Sequence, residues 1–492
     1  MTLRRHPLLL ELSAWPWLDR LSKKAGRPIT LGNVPEDVWD IYAAQGFDII
    51  YLMGVWQRSA IGRELARSHS ELRAEYERVL PGWTPDDVPG SPYSISDYVP
   101  DDRMGGWAGL DSARAALHSR GMQLMVDFVP NHTAFDHPWT HSHPERYVLG
   151  DEQAKRERPE AFRAVDAAIM ACGRDPYFAP WTDVAQLNYF NPDTRAAMIE
   201  VLRTISMHAD GVRCDMAMLV LNEVFERTWR PVLKGKWPAL ATEFWPGATR
   251  EIHSLLYLAE VYWDLEWTLQ RQGFNFTYDK RLLDRLREGR ASEVRSHLQA
   301  DPAFSDRLAR FIENHDESRS AAELGSLLPA AATMVTTLPG MRFFFDGQVD
   351  GARRRAPVQL GRWPDEPTLL ATRELYDRLL EVTQAAVFHD GAWQLLRVSS
   401  TGDEGHANLI AWQWTLDADR FVVVVNLGNG TSDGHVELPN LPAGRGWTFV
   451  DRLTGERYDW DRRNLEARRL YVRLEAGQSH VLAMEVSAIR PV

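Results

Sequence analysis

Eight times in this chain a short apolar run is followed by a stretch of helical periodicity. The runs are LLLELSAWPWL, FDIIYLMGVW, QLMVDFV, DGVRCD, LLYLAEVYW, FNFTYD, RLARFIENHD and GMRFFFDG. Helical patterns such as PEDVWDIYAAQG, GLDSARAALHSRG and DTRAAMIEVLRTISMH alternate with them. Strands separated by helices return parallel to one another. Eight such units fit a closed (β/α)8 TIM barrel better than an open sheet. The near-continuous apolar character of the runs agrees, because parallel strands are covered on both faces.

At 492 residues the chain exceeds a barrel of roughly 250, so accessory domains are expected. The segment after the third run is too long for an ordinary βα loop and predicts an insertion domain over residues 131–187. The barrel then occupies 1–130 and 188–388. From 389 to 492 the texture changes to short strands such as LIAWQWTL and RFVVVVNLG, separated by Gly, Asn and Asp turns. That pattern predicts a C-terminal antiparallel β-sandwich.

A formal net charge of −12 argues against a nucleic-acid partner. Cys172 and Cys214 are the only cysteines, too few for a disulfide framework or a thiolate metal cluster. The N-terminal MTLRRHPLLLELSAWPW has Glu11 inside its apolar run and no clean cleavage site, so it reads as a cytoplasmic start. No uninterrupted apolar stretch of about 18 residues is present, so no membrane span is expected. The nineteen tryptophans are mostly expected in the core. A sharper reading has some lining a cleft for a sugar ring.

Catalytic side chains of such barrels come from the C-terminal ends of different strands. The run ends here carry Asp127, Asp215, Glu260 and Asp316. In GVRCD, residues 213 and 215 share a strand face, so Arg213 and Asp215 project together. The guanidinium is expected to lower the Asp215 pKa and keep it ionised as a nucleophile. Glu260, among Leu258, Ala259, Val261, Tyr262 and Trp263, is expected to be raised by desolvation and to stay protonated. The pair suits retaining glycosidic cleavage, with Asp316 stabilising a cationic transition state.

At these residues the chain resembles the α-amylase family, glycoside hydrolase family 13. DFVPNH (127–132), GVRCD (211–215), AEVYW (259–263) and ENHD (313–316) resemble its four signature segments, and GSPYSISDY (90–98) and PGMRFFFDGQ (339–348) resemble two further ones. The resemblance implies Asp215 as nucleophile, Glu260 as acid/base and Asp316 as stabiliser. It implies Arg213, His132 and His315 as ligands of sugar hydroxyls, Tyr93 as a stacking platform and Asp127 as architecture of the rim. Its calcium-binding members use an Asn at the position of Asn131, so calcium there is a candidate ligand; no cofactor is otherwise implied as required. The implied function is a retaining hydrolase or transglycosylase acting on α-glucosidic linkages of oligosaccharides.

Several alternatives stand beside this reading. Glu243 in ATEFWPG is a second candidate acid, though its segment reads better as a helix start. Arg319 is present as a clamp for a terminal glucose, but Ser94 stands where family members acting from chain ends carry its Asp partner. Four histidines in NHTAFDHPWTHSHPER (131–146) suggest a zinc-dependent hydrolase or, more simply, a polar loop. Arg353, Arg354 and Arg355, after the eighth strand, suggest a glucosyl or maltosyl transferase using a phosphorylated sugar. A non-catalytic carbohydrate-binding protein on the same fold is the remaining alternative.

Overall fold

The eight apolar runs become eight parallel strands in the computed structural model. It describes residues 3–486 apart from residues 235, 239 and 403 and the side chains of 467, 468 and 486. The strands are β1 (Leu8–Ser13), β2 (Ile49–Met53), β3 (Gln123–Phe128), β4 (Gly211–Cys214), β5 (Leu256–Ala259), β6 (Phe276–Tyr278), β7 (Leu308–Arg310) and β8 (Met341–Phe345). Each pairs in parallel with its sequence neighbours, and β1 closes on β8 through Leu8–Arg342 to Glu11–Phe345. Nearly every strand residue is buried, as strands walled by side chains inside and helices outside require. The apolar run behind the two N-terminal arginines is thus the first barrel strand, and Glu11 within it is fully buried.

Helices follow most of these strands where the periodicity places them, for example Glu36–Ala44, Gly106–His118 and Pro192–His208. The last begins on a strong local signal: the Asn191 side chain accepts from Asp193 N at 2.9 Å, and Pro192 takes the first helical position. Between β3 and that helix the chain builds a four-stranded antiparallel sheet. Its order is His132–Ala134, Trp181–Gln186, Ala168–Gly173, Phe162–Val165. Its first strand starts four residues beyond Phe128, so this sheet stands directly on the rim of β3.

The C-terminal region is a sandwich of a six-stranded and a three-stranded sheet, all pairs antiparallel. Leu409, Val422, Val424, Trp447 and Phe449 share one core with Val436, Leu470 and Val472. Residues 487–492, inside the range expected for this sandwich, lie outside the described ones. No helix among the described residues is long and apolar enough to cross a membrane.

Trp414 joins sandwich to barrel. Its indole is fully buried, its Nε1 donates to Thr337 O at 2.6 Å, and its rings meet His6 and Phe388. Trp414→Ala should cost about 3–5 kcal/mol, read as a lower urea midpoint. Trp414→Phe, which keeps most of the volume, should cost clearly less.

Candidate active site

Asp215 and Glu260 are each the first residue past a strand end, and each is still held by a ladder-type hydrogen bond to its neighbour. Asp215 N donates to Phe128 O at 2.9 Å, and Glu260 N donates to Cys214 O at 3.0 Å. Strand geometry therefore fixes both carboxyls on the same rim, one strand apart. Asp316 lies beyond β7 in a turn in which Asn314 Oδ1 accepts from Asp316 N and Glu317 N. Asp215, Glu260 and Asp316 line one cavity of about 430 Å³, together with Tyr93, His132 and Trp181.

Arg213 organises the wall of that cavity from inside the barrel, where it has no exposed surface. Its Nη1 donates to Asp215 Oδ1 at 2.7 Å. Its Nη2 lies 2.8 Å from Glu260 Oε2, an ion-pair contact outside hydrogen-bonding angles. The guanidinium also sits over the rings of Tyr93 and Tyr278, at 5.2 and 5.7 Å. Glu260 accepts two further bonds, from Met216 N to Oε2 and from the Tyr262 hydroxyl to Oε1, both at 2.8 Å.

The electrostatics differ in one respect from the sequence expectation. Burial raises the Glu260 carboxyl, to about 7, against the opposing pull of Arg213. Burial also raises Asp215, although Arg213 was expected to lower it. The guanidinium does favour the charged form, but Asp215 is only 6% exposed and feels the negative charges of Asp316 and Asp127. Asp316 is the acid that falls. Desolvation pushes it up, but the adjacent imidazolium of His315, 2.9 Å away, outweighs this and holds it near 2. His315 keeps its proton because Asp316 and Glu11 together outweigh the cost of its burial. The Tyr93 hydroxyl bonds His315 Nε2 at 2.7 Å, and His315 Nδ1 meets Glu11 Oε1 at 2.5 Å.

The remaining residues named from the sequence fall into two groups. His132 lines the cavity edge-on to Trp181, and burial lowers its pKa to about 4, so it is neutral. Asp127 is fully buried behind the cavity and accepts from the Tyr51 hydroxyl and from Gly54 N. Arg319 does not line the cavity. Its Nη1 donates to Glu313 Oε1 at 2.8 Å and to Asp346 O at 2.7 Å, and its guanidinium stacks on Phe345 and Trp363. With Ser94 supplying no carboxylate, and with its hydroxyl donating to Asp183 O, the arginine has turned to a buried acid.

Glu243 accepts from Asn222 N at 3.0 Å, at the first turn of helix Asn222–Leu233, and stands outside the cavity lining. The four loop histidines are dispersed. His137 accepts from Trp139 N, His141 pairs with Asp166 and His143 bonds Ser142. No group of three or more potential metal-binding side chains occurs among the described residues. Asn131, the candidate calcium ligand, is paired with a neighbouring amide. Its side chain donates to Gln186 Oε1 at 3.1 Å and accepts from Gln186 Nε2 at 2.9 Å.

Sequence reading missed Glu11, Tyr262, Trp181 and Asp183. Glu11 carried a signal, being a lone acid inside an otherwise apolar strand. The two residues of the inserted sheet carried none, since only folding brings them over the barrel.

A family model described as the catalytic domain of alpha amylase matches residues 84–228. "Alpha-amylase MalA" of Haloarcula japonica is 26% identical over 387 residues, covering 74% of this chain and 50% of that protein. "Alpha-amylase 3" of Dictyoglomus thermophilum is 21% identical over 303 residues, covering 55% of this chain and 56% of that protein. The chain thus spans about half the length of these curated relatives. A solved maltogenic alpha-amylase, AmyB of Thermotoga neapolitana, shares the fold with a TM-score of 0.69 at 17% identity, covering 98% of this chain and 99% of that one. By the closed barrel, the matched catalytic segment and these relatives, the chain is similar to the α-amylase family.

Proposed function

We propose that the protein cleaves or transfers α-glucosidic linkages with retention, through a covalent glycosyl intermediate on Asp215. The observation that carries this reading is a single guanidinium contacting two carboxyls that open on one cavity. One positive charge between two buried acids favours a single net negative charge on the pair, so the pair keeps a proton. Glu260, at about 7, holds that proton, and Asp215 carries the charge opposite Arg213.

In the first step an Asp215 oxygen attacks the anomeric carbon while Glu260 protonates the departing glycosidic oxygen. In the second, Glu260 takes a proton from water or a sugar hydroxyl, which displaces Asp215. The ionised Asp316 faces the oxocarbenium-like charge of both transition states. Neutral His132 exchanges hydrogen bonds with hydroxyls without adding charge, and Tyr93 offers a ring face to the sugar. The relatives bearing alpha-amylase names support an α-glucan substrate. A protein named trehalose synthase in Pimelobacter is 30% identical over 125 residues, 22% of this chain, which is compatible with transfer as well as hydrolysis.

A second reading has one observation behind it. Arg355 is close enough for its charge to help hold Asp316 ionised, is nearly half exposed, and has only a loose 3.7 Å contact with Glu75. A partly exposed cation there suits a phosphorylated donor or acceptor. Its two neighbours are not part of the same feature, since the main-chain nitrogens of Arg353 and Arg354 bind Glu366. Equal turnover of glucose 1-phosphate and unphosphorylated analogues would remove this version.

Asp215→Asn should lower kcat on maltooligosaccharides by several orders of magnitude with an unchanged circular dichroism spectrum. Near-normal turnover would overturn the assignment. Activity requires Glu260 protonated, so kcat/KM should fall as pH rises through about 7. The Tyr262 hydroxyl stabilises ionised Glu260 by donating to it. Tyr262→Phe should therefore move that alkaline limb to higher pH, a shift that a purely structural role would not produce.

A further inference from the structure

The catalytic cavity is lined by a fourth carboxyl, which comes from the inserted sheet and not from the barrel. Asp183 lies on the strand Trp181–Gln186, and four successive residues of that strand, Trp181, Thr182, Asp183 and Val184, line the cavity. A regular strand cannot do this, because its side chains alternate between two faces. The register explains the exception. Ala185 stands opposite Cys172, yet Gly173, the next residue on that neighbouring strand, stands opposite Trp181. Thr182, Asp183 and Val184 have no counterpart on that side and form an extended bulge, a device that re-aims side chains.

Two contacts hold the bulge. The Ser94 hydroxyl donates to Asp183 O at 3.0 Å. Gly173 allows a close backbone approach: a Cβ there would lie 2.9 Å from Val184 Cγ2 and 3.3 Å from both His132 Cβ and Trp181 Cε3.

The Asp183 carboxyl is half-buried without being paired. Burial raises its pKa, against a weaker opposing pull from His132. Among the described residues it forms no ion pair, and the one donor that reaches it is its own main-chain N–H. A carboxyl in this state keeps acceptor sites open toward the cavity, and hydroxyl donors of a ligand would satisfy them. Trp181, two residues away on the same bulge, adds an apolar ring beside those acceptors. Asp215 and Glu260 both feel the charge of Asp316, but Asp183 is not among the principal charges acting on any of these three acids. Its carboxyl therefore stands apart from the reacting centre.

We infer that Asp183 is a specificity-determining residue, whose carboxylate accepts hydrogen bonds from the hydroxyls of a neutral sugar ring lying away from the scissile bond. The inference rests on the function proposed above and names a group by which that same site reads its substrate. A ring lacking those hydroxyls would leave the acceptor unpaired, the situation in which a hydrogen-bonding site discriminates most strongly.

The test uses the full chain carrying Asp215→Asn and measures maltohexaose binding by calorimetry. Adding Asp183→Ala should weaken binding by about tenfold or more, the range of a hydrogen bond to a charged group. Asp183→Asn, which keeps one acceptor oxygen, should weaken it less. Gly173→Ala, which displaces the bulge without touching sugar, should reproduce the loss. With Asp215 intact, Asp183→Ala should raise KM by a similar factor and leave kcat within about threefold. If Asp183→Ala loses its circular dichroism spectrum, Asp183→Asn decides. Unchanged affinity in the folded variant overturns the inference, and so does a lower kcat at unchanged KM, which would put the carboxyl at the reacting atoms. Normal turnover by Asp215→Asn sinks only the catalytic proposal, and the KM comparison then still reports on Asp183. An unsubstituted protein that neither binds nor cleaves maltohexaose overturns both.

Discussion

A fully buried guanidinium is the constraint on which the centre of this molecule depends. Arg213 has no exposed surface, and its charge is tolerated because Asp215 and Glu260 sit on two of its nitrogens and two tyrosine rings cover its faces. Removing one partner would leave an uncompensated charge inside the barrel, which is far costlier than losing a surface pair. The same contact orders the chemistry. It brings two acids from neighbouring strands toward one point and makes the protonation of one depend on the other.

A second charged chain runs from Glu11 through His315 to Asp316 and passes from β1 to the loop after β7. It explains why the third acid behaves unlike the other two. Asp215 and Glu260 share one cation and are both raised by burial, whereas Asp316 opens to the cavity and has a dedicated imidazolium. A charged Glu11 in a barrel strand looks like a defect until its partner is seen. With Asp316 on the other side of the ring, it offsets the cost of burying the His315 imidazolium. Tyr93 connects this chain to the first, touching His315 through its hydroxyl and Arg213 through its ring.

Much of this was legible in the residues. The eight runs, the inserted sheet and the sandwich follow from the period of the apolar pattern, because strand and helix periodicity are properties of neighbouring residues. The same-face projection of Arg213 and Asp215 is equally local. Glu243 was separable from Glu260 because a helix start and a strand end differ in their flanking residues. The sign of the Asp215 shift was not legible. Local sequence shows the guanidinium two residues away, but not the depth of burial or the acids of other strands. The surroundings of Arg319 were not legible for a related reason. Its partner Glu313 is six residues away, and the rings its guanidinium stacks on, Phe345 and Trp363, come from the far end of the barrel sequence.

The sequence by itself determined which residues are strands, where charged groups interrupt them, and hence which acids reach the rim of a barrel. Those outcomes depend on pattern alone, since a strand end is defined by its own neighbours. Tertiary structure alone decided which rim residues meet, which are neutral, and that the amides of Asn131 and Gln186 pair across the inserted sheet. Burial and Coulomb interaction are set by distances across the barrel, and such distances exist only once the first strand has closed on the eighth.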